Sequence, residues 1–214
     1  SGTGTTLVTG ALSLSTSSSK FISESRTLRN EGTATWSDGT LFVGGTARIE
    51  NAGDLQATGD DSVNFNGGTP SFHNETEGTL AKTGGLLTST IGIPFENDGA
   101  VGGTAGTLNL SSGGGTSNGS FGATVAGATV NFAGGIFTLG TGANLTGAVG
   151  LTNATVDVES AVSGSAASVL TQSGGTLAGA GTLTTAGSYV WNSGSQSGTG
   201  TTLVTGALSL STSS

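Results

Sequence analysis

Residues 48–55 read Arg-Ile-Glu-Asn-Ala-Gly-Asp-Leu: an apolar residue, any residue, Asn, a short gap, Gly, and an apolar residue two places on. Up to the Gly, the pattern recurs at Leu28-Arg29-Asn30-Glu31-Gly32, at Phe95-Glu96-Asn97-Asp98-Gly99 and at Val190-Trp191-Asn192-Ser193-Gly194. With a longer gap it appears at Phe72-His73-Asn74, leading to Gly78. Asn30, Asn51, Asn74 and Asn97 follow one another at 21, 23 and 23 residues. Leu55, Leu80 and Val101 each stand two places beyond the Gly. Glycine pairs keep a similar interval: Gly44-Gly45 and Gly67-Gly68 are 23 apart, and Gly114-Gly115 and Gly134-Gly135 are 20 apart. A fixed period of this length is the mark of a stacked repeat, here with a unit of roughly 20–23 residues.

The residue choice selects the kind of repeat. Helical repeats need long stretches of 3.6-residue periodicity. This chain has instead short β-type clusters (Leu41-Phe-Val, Ala128-Thr-Val-Asn-Phe, Ile136-Phe-Thr-Leu, Tyr189-Val-Trp) bounded by Gly, Asn, Asp and Ser. Those bounding residues suit tight corners. Two or three short strands and as many corners use about twenty residues, the length of one β-solenoid coil. The expected fold is all-β: a right-handed parallel β-helix, because parallel crossovers nearly always take that hand.

Stacked coils lie about 4.8 Å apart. Equivalent Asn side chains can then hydrogen-bond from coil to coil as a ladder, expected to comprise Asn30, Asn51, Asn74, Asn97 and Asn192. The residue two places before each Asn points to the same side of its strand. That predicts a core stripe of Leu28, Ile49, Phe72, Phe95 and Val190. The competing reading is five unconnected surface turns, and the apolar partner at a fixed offset favours the ladder.

A second, longer repeat frames this one. Residues 1–18, SGTGTTLVTGALSLSTSS, return unchanged as residues 197–214. The reading is one 196-residue unit (residues 1–196) of about nine coils, followed by the start of the next identical unit (residues 197–214). Between Gly187 and Ser214 there is no charge and no proline, whereas solenoid ends are normally blocked by such residues or by a cap. The seam therefore reads as an interior coil.

Composition narrows the function. Only 8% of residues are charged, against about a quarter in an ordinary soluble protein. Apolar residues still make up 33%, too many for a disordered linker. The net charge of −8 disfavours nucleic acid, and all five basic residues (Lys20, Arg26, Arg29, Arg48, Lys82) fall in the first 82 positions. The chain has no Cys, so neither a disulfide framework nor a thiolate metal site is available. No run of about 18 apolar residues exists to span a membrane. A neutral, hydroxyl-rich surface suits an extracellular material.

Gly174-Gly-Thr-Leu-Ala-Gly-Ala-Gly-Thr-Leu183, followed by Tyr189-Val-Trp-Asn-Ser-Gly194 and SGTGTT, resembles coils of large bacterial surface β-helix proteins. These are autotransporter passengers and filamentous-haemagglutinin-like adhesins. The resemblance implies secretion, a long rod, and adhesion, matrix or filament formation; it brings no catalytic residues.

Chemistry-bearing constellations are sparse. Asp60-Asp61 and Glu96-Asn97-Asp98, with Arg48 and Lys82, are the one grouping that suggests carbohydrate cleavage; solvated corners are the commoner setting for such charges, and no enzyme is expected. His73 is the only histidine, which leaves no His-based metal cluster or catalytic triad. No cofactor is expected, with Asp60, Asp61, Glu75 and Glu77 as the oxygen ligands calcium would use. No phosphate loop is present. Thr33/Thr35 and Thr88/Thr90 are too sporadic for an ice-binding face. Sequons occur at Asn74, Asn109, Asn118, Asn144 and Asn153. The leading expectation is an extracellular or cell-surface structural fibre whose partners are further copies of the unit. The alternative is a surface adhesin for glycans or host proteins, with Trp36 and Trp191 as candidate stacking platforms, although core packing is the commoner setting for both.

Overall fold

The computed structural model describes residues 2–211; Ser1 and residues 212–214, parts of the repeated segment, lie outside the described residues. All 28 elements among the described residues are β-strands. Their pairings are parallel, apart from a one-residue antiparallel bridge between Ala123 and Ala148. The chain is a β-solenoid of about ten turns with three strand faces.

The first face starts with Thr3–Val8, Ser25–Asn30, Arg48–Asn51, Ser71–Asn74 and Phe95–Asn97, in register. Beyond a glycine-rich step at Gly113 it continues through Thr116–Ser117, Ile136–Leu139 and Thr155–Val158. The second face stacks ten strands from Ala11–Ser15 and Thr33–Asp38 to Thr182–Thr185 and Thr201–Val204. The third runs from Lys20–Ile22 and Leu41–Gly45 to Ser188–Gln196 and Ala207–Leu210.

Turn length follows the corners. Thr27 pairs with Arg48, 21 residues on, and Arg48 with Ser71, 23 on. Late in the chain Thr182 pairs with Thr201, only 19 on. There the corners have shrunk to two residues, Ala180-Gly181 and Ala186-Gly187. A methyl group at Gly53 would run into the carbonyl oxygen of Gly32, and one at Gly99 into that of Gly78. Glycine at these corners therefore keeps consecutive turns at strand spacing.

Strand alternation puts one side chain in two inside the tube. Leu80, Ile91, Phe95, Leu110, Phe121 and Val130 have 0% exposure. Rings also meet across the tube: Phe121, Phe132 and Phe137, one from each face, lie tilted to one another at centroid distances of 5.1 and 4.8 Å. Each such side chain contributes about 1.5–3 kcal/mol by leaving water. The core is one residue pair deep but continuous from turn to turn.

Candidate functional site

On the first face, the stretch around Asn51 sets two rows back to back. Ile49 and Asn51 point inward; Arg48 and Glu50 point out. Leu28, Ile49, Phe72 and Phe95 are stacked partners, with the Phe72 and Phe95 rings edge to face at 5.2 Å. Asn30, Asn51, Asn74 and Asn97 follow in the same register, all buried. Asn30 Nδ2 donates to Asn51 Oδ1 at 2.8 Å, Asn51 to Asn74 at 2.7 Å and Asn74 to Asn97 at 2.8 Å. The second amide proton goes to a backbone carbonyl of the neighbouring strand, as from Asn51 to Thr79 O at 3.0 Å. The row ends where Asn97 Nδ2 donates to Ser120 O and the Asn97 backbone N–H donates to Ser117 Oγ.

Asn192 and Val190 do not belong to these rows. Tyr189 pairs with buried Leu170 and faces inward, so Val190 and Asn192 face out. A slip of one residue exchanges the two sides of a strand. Asn192 lies on the third-face strand and takes a hydrogen bond from Ser211 Oγ. Besides Ser168 and Thr185, these late turns bury Gln172. Its Oε1 accepts from the Tyr189 hydroxyl and its Nε2 donates to Ser195 O at 3.0 Å.

Outside the Asn row runs a charged one: Arg29, Glu50, His73 and Glu96 are lateral neighbours. Arg29 bridges Glu31 at 2.7 Å, Glu50 at 3.1 Å and Glu75. Hydrogen bonds to Glu75, Glu31 and Glu50, in that order of weight, raise its pKa above the ordinary arginine value. His73 Nε2 lies 2.9 Å from Asp98 Oδ2, and Asn118 Nδ2 donates to Asp98 Oδ1 at 2.8 Å. Burial pushes the Asp98 carboxyl up, but the bonds from Asn118 and His73 outweigh it and hold the pKa below the ordinary carboxylate value. His73, Glu96 and Asp98 each offer one ligand atom within 4.8 Å of the others. One imidazole and two carboxylates is a donor set for a borderline divalent cation.

The carboxylates expected to suit calcium are spread apart. Asp60 Oδ1 accepts from Lys82 Nζ at 2.7 Å and from the Leu87 N–H at 3.1 Å, while Glu75 is held by Arg29. Lys82 is the surprise: its side chain has 0% exposure. Its Nζ also donates to Gly59 O at 2.6 Å, Gly84 O at 2.8 Å and Ser89 Oγ at 3.2 Å. Leu80-Ala81-Lys82 alternates, so the position aligned with Ala57 and Gly103 points inward. That parity was the available signal. A shell of carbonyls and one carboxylate satisfies the ammonium.

Neither tryptophan is an open platform. Trp36 is 2% exposed, and its indole N–H donates to Gly39 O at 2.9 Å. It points inward because Ala34 and Trp36 alternate with Thr33 and Thr35. Trp191 packs on the core beside Tyr189, the rings parallel within 3°. The outward aromatic pair is Phe21 and Phe42, stacked at 5.1 Å with Phe21 65% exposed. Of the sequon residues, Asn74 is buried in the Asn row, which closes it to glycosylation in the folded chain.

The repeated segment is used differently at its two positions. In the first copy, Val8 O and Gly10 O accept from the N–H groups of Glu31 and Thr33, at 2.8 and 2.9 Å. In the second, the N–H groups of Thr205 and Ala207 donate to Thr185 O and Gly187 O, both at 3.0 Å. One copy pairs along its edge toward the turn that follows, the other along its edge toward the turn that precedes. Gly10 would meet nothing within 4 Å on gaining a methyl group, whereas the same residue as Gly206 would run into Gly187 O.

Comparisons with protein-family models, curated proteins and solved structures find no match.

Proposed function

We propose that the chain is the repeating unit of an extracellular structural fibre or stalk, built by stacking 196-residue units into one β-solenoid. The observation that carries this reading is the complementary use of the repeated segment. Its edge toward the following turn is paired in one copy and its edge toward the preceding turn in the other, so a single copy between two units has both edges paired. Leu208 and Leu210, 52% and 66% exposed on the last turn, correspond to Leu12 and Leu14, which lie against Ala34 and Trp36. A following unit covers them with those residues. The scarcity of charge on the later turns and the resemblance to bacterial surface β-helices support an extracellular setting. No catalytic or cofactor role is assigned to the charged row.

The test is electron microscopy of chains carrying one, two and four units. Rods that lengthen by a constant increment of about 45 Å per unit support the reading. Beads on flexible links, or no fixed increment, would exclude it.

The exposed Phe21–Phe42 stack gives the adhesive alternative its own observation, since flat aromatic faces suit sugar rings. Glycan binding lost on Phe42→Ala, with the circular dichroism spectrum unchanged, would favour adhesion over a purely structural role.

A further inference from the structure

The repeated segment does not return to the face on which it started. Thr5–Val8 pairs with Thr27–Asn30 on the first face. The same four residues as Thr201–Val204 pair with Thr182–Thr185 on the second. Ala11–Leu14 belongs to the second face, whereas Ala207–Leu210 belongs to the third. From Thr3–Val8, nine turns along the first face lead to Ser195 and Gln196, which pair with Thr176 and Leu177. The second copy's Thr201–Val204 comes one face later.

We propose that each unit advances by nine turns and one face, so that successive units are rotated by about a third of a turn. This rests on the fibre reading and specifies how its joints are made. The next unit's Asn row then rises from the second face, above Thr185 and Val204, and returns to the first face only after three units.

The joint accepts this shift on both sides. Below the segment, Thr202, Val204, Leu208 and Leu210 pair with Leu183, Thr185, Tyr189 and Trp191. Above it, the corresponding Thr6, Val8, Leu12 and Leu14 pair with Leu28, Asn30, Ala34 and Trp36. Merging the two gives four inward columns across the seam: Leu–Thr–Leu, Thr–Val–Asn, Tyr–Leu–Ala and Trp–Leu–Trp. No column buries a charge.

The corners explain why the shift is tolerated. In the last turns the strands begin at Thr176, Thr182 and Ser188, then at Ser195, Thr201 and Ala207. The second and third strands thus begin six residues after the one before. Thr5 and Ala11 keep that same six-residue step. A Thr-Gly corner serves between the first two faces at Thr9-Gly10 and between the last two at Thr205-Gly206. With equal sides and equal corners, the segment fits either pair of faces.

The test is a structure by electron cryo-microscopy of a chain with residues 1–196 twice in succession, ending in residues 197–214. The expected result is an unbroken solenoid in which the second unit repeats the first after a rise of about 45 Å and a rotation of about 120°. Its Asn51 equivalent would then lie on the second face. An unbroken solenoid with both Asn rows on one face would overturn the proposal and leave the fibre intact. A break at the seam would overturn both.

Discussion

Asn51 Nδ2 lies 2.7 Å from Oδ1 of Asn74, 23 residues further along the chain and one turn up the axis. Both side chains have 0% exposure, so this bond is made without competition from water. Asn51→Leu keeps the branching of the side chain but strips partners from Asn30 Nδ2, Asn74 Oδ1 and Thr79 O. Buried groups left unpaired cost about 1–3 kcal/mol each. The expected loss is about 3 kcal/mol in a denaturant titration. An unchanged midpoint would show that the row does not hold the turns together.

Lys82 should be as sensitive as any core residue. Lys82→Met removes the ammonium that Asp60 and the Gly59 and Gly84 carbonyls bind, leaving Asp60 only the Leu87 N–H and Gly59 O only the Ser89 hydroxyl. Removing one partner of a buried pair typically costs about 3–5 kcal/mol. The open side of Asp60 places this case at about 3 kcal/mol. Asp60→Asn retains an acceptor oxygen and should be milder. Equal destabilisation by the two variants would contradict the geometry.

Asp98 gives the first face an acid-sensitive element. Its folded pKa is below the ordinary 3.8, so the folded state binds the proton less readily than the unfolded one. The stabilisation is fully present above the ordinary value and is lost as pH falls through the folded value. Asn118→Ala removes one of the bonds that lower it. Carbon NMR titration should then show the Asp98 midpoint moving up, and thermal melts from pH 6 to 2 should lose less stability on acidification.

Two glycines separate crowding from backbone freedom. Gly53→Ala puts a methyl group into the Gly32 carbonyl and should cost about 1–3 kcal/mol through overpacking. Gly10→Ala has open space in the 214-residue chain and should be nearly silent there. Placed at the seam of a two-unit chain, the same substitution meets the carbonyl of Gly187 and should destabilise. Silence in both settings would count against stacking at the seam.

The parallel solenoid was legible because Asn, Gly and apolar residues keep their offsets through Arg48–Leu55 and its relatives. Parity was harder to read. Around Asn192 the pattern is present, but Tyr189 and Trp191 are larger than Val190 and take the inward side. Core packing, the commoner setting for a tryptophan, holds at Trp36, and the alternation of Ala34, Thr35 and Trp36 carries that signal. Lys82 was hidden by its type, since lysine is almost never fully buried without partners, and those partners come from corners that the sequence does not align. The face on which a repeat begins is set by turn lengths that vary from 19 residues (Thr182 to Thr201) to 28 (Val63 to Ile91), and a two-residue ambiguity at each corner erases it.

Each strand finds its partners only about one turn away in sequence, which bears on how such a chain is made. A chain emerging from a narrow passage end first need not wait for distant segments. Every new turn lays itself on the finished one as on a template, and the ordering it gains opposes backsliding.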